Sequence, residues 1–147
     1  PVVGHNACLM RALRAERLKP FGEYHGTPIG FCGMVQPAPL EDLVRALEAY
    51  CGAKAQVLAY GPKRVETVGV VSGGAYSLLP QGIGQKLDLY VTGALDEPAQ
   101  EWCREGRINC VALGHYNSEK PGVLALMELV SKRFDVQTEF IDVANPL

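Results

Sequence analysis

Three times in its second half the chain runs through a short apolar segment and stops on glycine. Glu66-Thr67-Val68-Gly69-Val70-Val71 ends at Ser72-Gly73-Gly74, Asp88-Leu89-Tyr90-Val91-Thr92 ends at Gly93, and Ile108-Asn109-Cys110-Val111-Ala112-Leu113 ends at Gly114. Runs of this length bounded by turn residues read as buried strands. The segments between them read as helices. One spans 75–86 and is weakened by Pro80, Gly82 and Gly84. Another spans 96–105, with Asp96 as N-cap and Pro98 in the first turn. A third is capped by Ser118, takes Pro121 in its first turn, and recurs at helical spacing through Val123, Met127, Val130 and Phe134. Residues 136–142 alternate apolar and polar, the pattern of a half-buried strand. The order β-α-β-α-β-α-β predicts an α/β fold: a mostly parallel sheet with helices on both faces. The direction of the final strand is left open.

The first half predicts a smaller, irregular α+β part. Residues 6–17 read as a helix with Leu9 and Leu13 inward. Residues 20–33 are rich in glycine and proline and suggest a strand pair or an irregular crossing. Leu40, Leu43, Val44, Leu47 and Cys51 form the stripe of an amphipathic helix, and 55–60 suggest a strand. Gly61-Pro62 marks the expected boundary between an N-terminal part (1–61) and a C-terminal part (62–147).

Several function classes are disfavoured by composition. The net charge is -2 and the basic clusters are short, whereas a nucleic-acid surface needs a basic excess or stripe. No apolar run reaches the roughly 18–20 residues of a membrane span. The five cysteines are odd in number and none are spaced as CxxC, so they are expected as reduced, buried thiols of a cytoplasmic protein.

Sites in parallel α/β sheets gather beyond the C-terminal ends of strands, and the three glycine turns are expected to share one rim. The third, Gly114-His115-Tyr116-Asn117-Ser118-Glu119, is the richest. An imidazole and a carboxylate four residues apart across a strand–helix turn can converge on one ion, and the pair suits zinc, iron or manganese better than calcium. Two ligands alone rarely hold a metal; helix-dipole stabilisation of Glu119 and a hydrogen-bonded loop role for His115 are the plain alternatives. The Ser72-Gly73-Gly74 turn carries a weak anion-binding signal. Asp96 and Glu97 fit capping better than catalysis, and His5 and His25 have no partner at a telling spacing.

The Gly114-to-Gly122 segment, GHYNSEKPG, resembles that of the Nif-three-like family, the GTP cyclohydrolase type-two homologs. The likeness continues elsewhere. Pro1-Val2-Val3-Gly4-His5-Asn6-Ala7 is similar to the family's opening "HPxxGNNA". Ser72-Gly73-Gly74 followed by Ser77-Leu78-Leu79-Pro80 is similar to its Gly-rich turn. Asp88-Leu89-Tyr90-Val91-Thr92-Gly93 is similar to its "DVYVTGE", and Phe140-Ile141-Asp142 with Asn145-Pro146 to its "FID..NP" ending.

The resemblance implies a dinuclear divalent-metal site in a toroidal homo-oligomer, usually a hexamer, with His115 and Glu119 as metal ligands. It implies metal-dependent hydrolysis of a nucleotide-like or small phosphorylated substrate, or else a non-catalytic metal-binding or regulatory scaffold. Three departures bear on this. The family's His-His pair and aspartate lie upstream of the proline with which this sequence opens, so part of the family fold and ligand set is expected to be missing. A half-built, metal-poor, inactive and association-prone chain is the expectation. Ala94 replaces the acid after the "VTG" strand, and His5 stands where asparagine is usual.

Overall fold

The three strand–turn units sit side by side at the centre of one sheet. In the computed structural model, which describes residues 3–143 and 145, they are β4 (Arg64–Val70), β5 (Leu89–Thr92) and β6 (Asn109–Ala112), paired in parallel. β5 and β6 are buried along their whole length, as expected of apolar strands covered on both faces. The first half adds α1 (His5–Ala12), β1 (Glu16–Tyr24), β2 (Thr27–Pro39), α2 (Leu40–Cys51) and β3 (Gln56–Ala59). A single six-stranded sheet results, in the order β1-β2-β4-β5-β6-β3.

The expected mostly parallel sheet is therefore corrected to a mixed one. β1–β2, β2–β4 and β3–β6 are antiparallel. The cause is the first half. Tyr24 pairs with Thr27 across the two-residue turn His25-Gly26, whose φ angles are +49 and +77. Such a tight hairpin admits only antiparallel strands. The expected boundary at Gly61-Pro62 falls in the β3–β4 connection. Buried Asn109 of β6 accepts from the Gly61 N–H and donates to the Pro62 carbonyl, 2.9 Å each, and strands from both sides of this connection share the sheet.

Helices cover both faces. α1 and α2 bury Leu9, Met10, Leu43 and Leu47 against Val65, Val68, Leu89 and Val111. On the other face lie a 3-10 turn (Tyr76–Leu78), α3 (Leu79–Gly84) and α4 (Pro98–Gly106), packed over Tyr90 and Cys110. The expected helix over 75–86 is split into that turn and the short α3, in keeping with its glycines and proline. The helix expected over 6–17 stops at Ala12, and β1 starts at Glu16.

α5 (His115–Phe134) starts three residues before the expected cap Ser118. The residues that recur at helical spacing do not all turn inward: Val123 is 46% exposed and Phe134 64%. Only the first turns are buried, at Ser118, Pro121 and Gly122. Gly122 lets α1 come close, since a Cβ there would stand 2.3 Å from His5 Nδ1. Twenty residues of helix reach about 30 Å, which carries the chain past the sheet. The expected strand over 136–142 does not form. An alternating segment becomes a strand only beside an edge that can pair with it, and this one folds back on α5 instead. There the Tyr116 hydroxyl donates to Asp142 Oδ1 at 2.6 Å.

All five cysteines are buried and free of disulfides. No helix among the described residues is long and apolar enough to cross a membrane.

Candidate functional site

The three turns meet, as their common position after parallel strands requires. The Gly73 carbonyl accepts the N–H groups of Gly93 at 2.9 Å and Ala94 at 3.0 Å, and the Thr92 hydroxyl at 3.2 Å. The Gly73 N–H donates to Ser118 Oγ at 2.9 Å, and that hydroxyl donates to the His115 carbonyl at 2.8 Å. Ser118 is thus not a helix cap but the staple between the first turn and the third. Sequence reasoning missed this role, because a serine one turn into a helix carries no local mark of a distant partner.

His115 and Glu119 are brought together over this knot. His115 Nε2 lies 3.5 Å from Glu119 Oε1, with the two side chains 54% and 41% exposed. The spacing is the i,i+4 geometry of α5 itself. Gly73 makes room for both. Its φ is +71, and a Cβ there would stand 2.5 Å from Glu119 Oε1 and 3.2 Å from His115 Nε2. At Gly93 a Cβ would stand 2.5 Å from Ser118 Oγ, so close approach demands glycine there too.

The donor set suits a divalent ion: one imidazole nitrogen and one carboxylate oxygen, both accessible and facing one notch. Among the described residues no third histidine, cysteine, aspartate or glutamate joins them. Ala94 offers no donor from the second turn. The pair therefore fits a metal as part of a ligand set.

The remaining candidates lie elsewhere. Asp96 accepts from the Glu97 N–H at 2.8 Å and from Tyr76, whose phenol is pushed up by that hydrogen bond and by the nearby negative charge. The expected N-cap role of Asp96 is corrected: α4 starts at Pro98, with Glu97 at the cap position and no side-chain cap hydrogen bond, so Asp96 serves the turn before the helix. His25 sits at the hairpin tip, edge-on to the Tyr24 ring at 4.2 Å between centroids. His5 packs against Gly122 with Nδ1 buried and unpartnered among the described residues. Asn6, its neighbour, ties the arm to the rim: it accepts from the Ser72 N–H and donates to the Ile29 carbonyl, 2.7 Å each. Of the two terminal segments that carried the family likeness, Pro1, Val2 and Pro146 lie outside the described residues.

The family model described as Duf34/NIF3 (NGG1p interacting factor 3) matches residues 1–146. The chain belongs to the Duf34/NIF3 family. A curated member from Archaeoglobus fulgidus, named "GTP cyclohydrolase 1 type 2 homolog", is 36% identical over 99% of this chain and 58% of its own length. Among solved structures, the protein TTHA1606 from Thermus thermophilus is 30% identical with a TM-score of 0.85, covering 99% of this chain and 57% of that one. The protein ybgI, described as of unknown function, is 29% identical with a TM-score of 0.89, covering 100% and 58%. The chain thus spans somewhat over half the length of the Duf34/NIF3 proteins it matches.

Proposed function

We propose that this Duf34/NIF3 protein is a divalent-metal-dependent hydrolase of nucleotide-like or small phosphorylated substrates, with His115 and Glu119 among its metal ligands. The observation that carries this is the pairing of His115 Nε2 and Glu119 Oε1, 3.5 Å apart over the glycine notch at Gly73. A bound zinc, iron or manganese ion would supply a water made acidic enough to be nucleophilic near neutral pH, and would polarise a phosphoryl oxygen. Two ions per subunit, a homo-oligomer of hexameric form, and a cytoplasmic setting belong to the same proposal. No nucleic-acid or membrane partner does.

The chain's own groups contribute position. The Ser118 staple and the Gly73 carbonyl hold the three turns in fixed register, so His115 and Glu119 start from a rigid rim. Rigid placement of ligands is what metal affinity and catalysis both need. Ala94 favours a second proposal, a non-catalytic metal-binding or regulatory scaffold, since the acid that the family places there is absent.

Metal content decides the first step. Elemental mass spectrometry on protein purified without chelator should find bound divalent metal, lost in His115→Ala and in Glu119→Gln. Equal metal content in wild type and both variants would exclude these two residues as ligands. Turnover over a nucleotide and phosphoester panel then separates hydrolase from scaffold.

A further inference from the structure

Beside Glu119 the rim opens into a cleft of ≈ 260 Å³ whose walls include Tyr24, Ile29, Gly74, Ser77 and Leu78. Two of these side chains are unusual for a turn region. Tyr24 and Ile29 are 53% and 45% exposed, and both come from the tip of the β1–β2 arm, just past the Phe31–Val70 pair with which β2 meets β4.

The β2–β4 ladder carries the arm to the rim, with Phe31 paired to Val70, and two side-chain amides pin its tip there. Gln81 of α3 accepts from the Glu23 N–H at 2.8 Å and donates to the Glu23 carbonyl at 2.9 Å, imitating a strand pair one residue before Tyr24. Asn6 joins the Ile29 carbonyl to the Ser72 N–H. Glycines permit the close seating. A Cβ at Gly30 would stand 2.3 Å from the Val70 carbonyl oxygen, and one at Gly22 2.7 Å from Val71 Cγ2. At the tip, His25 takes a positive φ and sets its ring edge against Tyr24. A non-glycine residue in that region carries strain. The arrangement fixes an open aromatic face and an open aliphatic face on one side of the cleft, with Ser77 and the Gly74 backbone nearby and Glu119 also on the wall.

We propose that this cleft is the ring subsite of the protein's small-molecule ligand: a flat, uncharged ring lies against Tyr24 and Ile29, and the rest of the ligand extends toward Glu119 and His115. Ligand pockets commonly enclose about 300–1,000 Å³. A cleft of ≈ 260 Å³ is below that range, so it takes one ring system and leaves the ligand's other end outside. An aromatic wall that is pinned before the ligand arrives loses little freedom on binding. Which end of the ligand reacts rests on the metal proposal above; the ring subsite itself does not.

Indole and the non-planar cyclohexylmethanol serve as probes, followed by the NMR signals of the Tyr24 ring and the Ile29 methyls. The protein is used both metal-loaded and stripped by chelator. Indole should shift these signals in both preparations and bind more tightly than cyclohexylmethanol. Tyr24→Ala should raise the indole Kd about tenfold, and Tyr24→Phe should stay within about twofold. The proposal is overturned if indole shifts map to exposed α5 residues such as Val123 and Leu126. It is equally overturned if Tyr24→Ala binds indole as wild type does, or if the shifts vanish on metal removal. Protein that never takes up metal yet keeps the indole shifts would sink the metal proposal and leave the ring subsite standing.

Discussion

Gly73→Ala tests the claim that the notch is built for glycine on two separate grounds. The first is backbone sign. At φ +71 an L-residue costs about 1–2 kcal/mol that glycine does not. Reduced freedom of the unfolded chain returns about 0.4–1 kcal/mol of that. The second ground is space. The new Cβ would lie 2.5 Å from Glu119 Oε1, and a carboxylate at the end of a flexible side chain can swing away rather than break the fold. The net loss of stability is then about 1 kcal/mol, with the displaced Glu119 felt mainly as lost metal affinity. For a chain of 147 residues a loss of that size lowers Tm by about 2–4 °C. Disturbing the setting of one ligand should weaken metal binding by about tenfold or more. Gly74→Ala is the control next door. Its φ is not positive, and its Cβ would meet His115 at an ordinary 3.5 Å. That variant should melt at or slightly above the wild-type temperature and keep its metal. Thermal unfolding by circular dichroism and a competitive metal titration measure both quantities. If Gly73→Ala melts with wild type and holds metal equally well, the reasoning about the notch is wrong.

Ser118→Ala removes the acceptor of the Gly73 N–H in a buried setting and should cost about 1–3 kcal/mol, read as a lower urea midpoint with an unchanged slope. Cys51 offers a pH test. Burial pushes its thiol up to about 11 from the ordinary 9.0, against the pull of the nearby Lys120 ammonium. The folded state thus keeps a proton that the unfolded chain gives up. The resulting stability is fully present below about pH 9 and is lost as pH rises through about 11. Urea unfolding at about pH 8 and about pH 10.5 should show wild type losing about 2 kcal/mol more than Cys51→Ala over that interval. Equal losses in the two proteins would show that the thiol titrates normally.

What the sequence made legible was whatever it encodes locally. Each of β4, β5 and β6 is a short apolar run stopped by glycine, and each formed where expected to within a residue or two. The stripe Leu40, Leu43, Leu47 and Cys51 became the buried face of α2, ended by Gly52 at φ +71. The convergence of three turns followed from the parallel order alone. What failed to show depends on partners distant in the chain. β1 exposes most of its residues and spends its one glycine, Gly22, on close approach to Val71, so it shows no alternation, and the glycines and prolines of 20–33 left a strand pair and an irregular crossing equally open. Residues 136–142 carry the alternation of a strand but lie against α5 rather than beside either edge strand, β1 or β3. The stripe from Val123 to Phe134 has helical period, but among the described residues no layer covers its outer part. Ser118 and Tyr24 escaped for the same reason: one looks like a cap and the other like a hairpin end until the elements they meet are in place.

These contrasts suggest how the site divides its work. The rim of β4, β5 and β6 is a backbone structure, closed by the Gly73 carbonyl and the Ser118 hydroxyl, and it sets where the His115 and Glu119 side chains start. The β1–β2 arm joins the sheet through the β2–β4 ladder, and beyond the end of that ladder its tip is pinned by the Asn6 and Gln81 side chains, where it supplies Tyr24 and Ile29. Substitutions of the Tyr24 and Ile29 side chains can alter what ring is accepted without touching the hydrogen bonds that set the rim. Changes in the rim, such as Ala94 in the place of an acid, alter the chemistry available without moving the arm. The two parts share the β2–β4 ladder, which ends at the Phe31–Val70 pair, and Tyr24 and Ile29 lie beyond that end, so selectivity and chemistry are separable in this protein by substitutions of these two side chains on one side of the cleft and of His115 and Glu119 on the other.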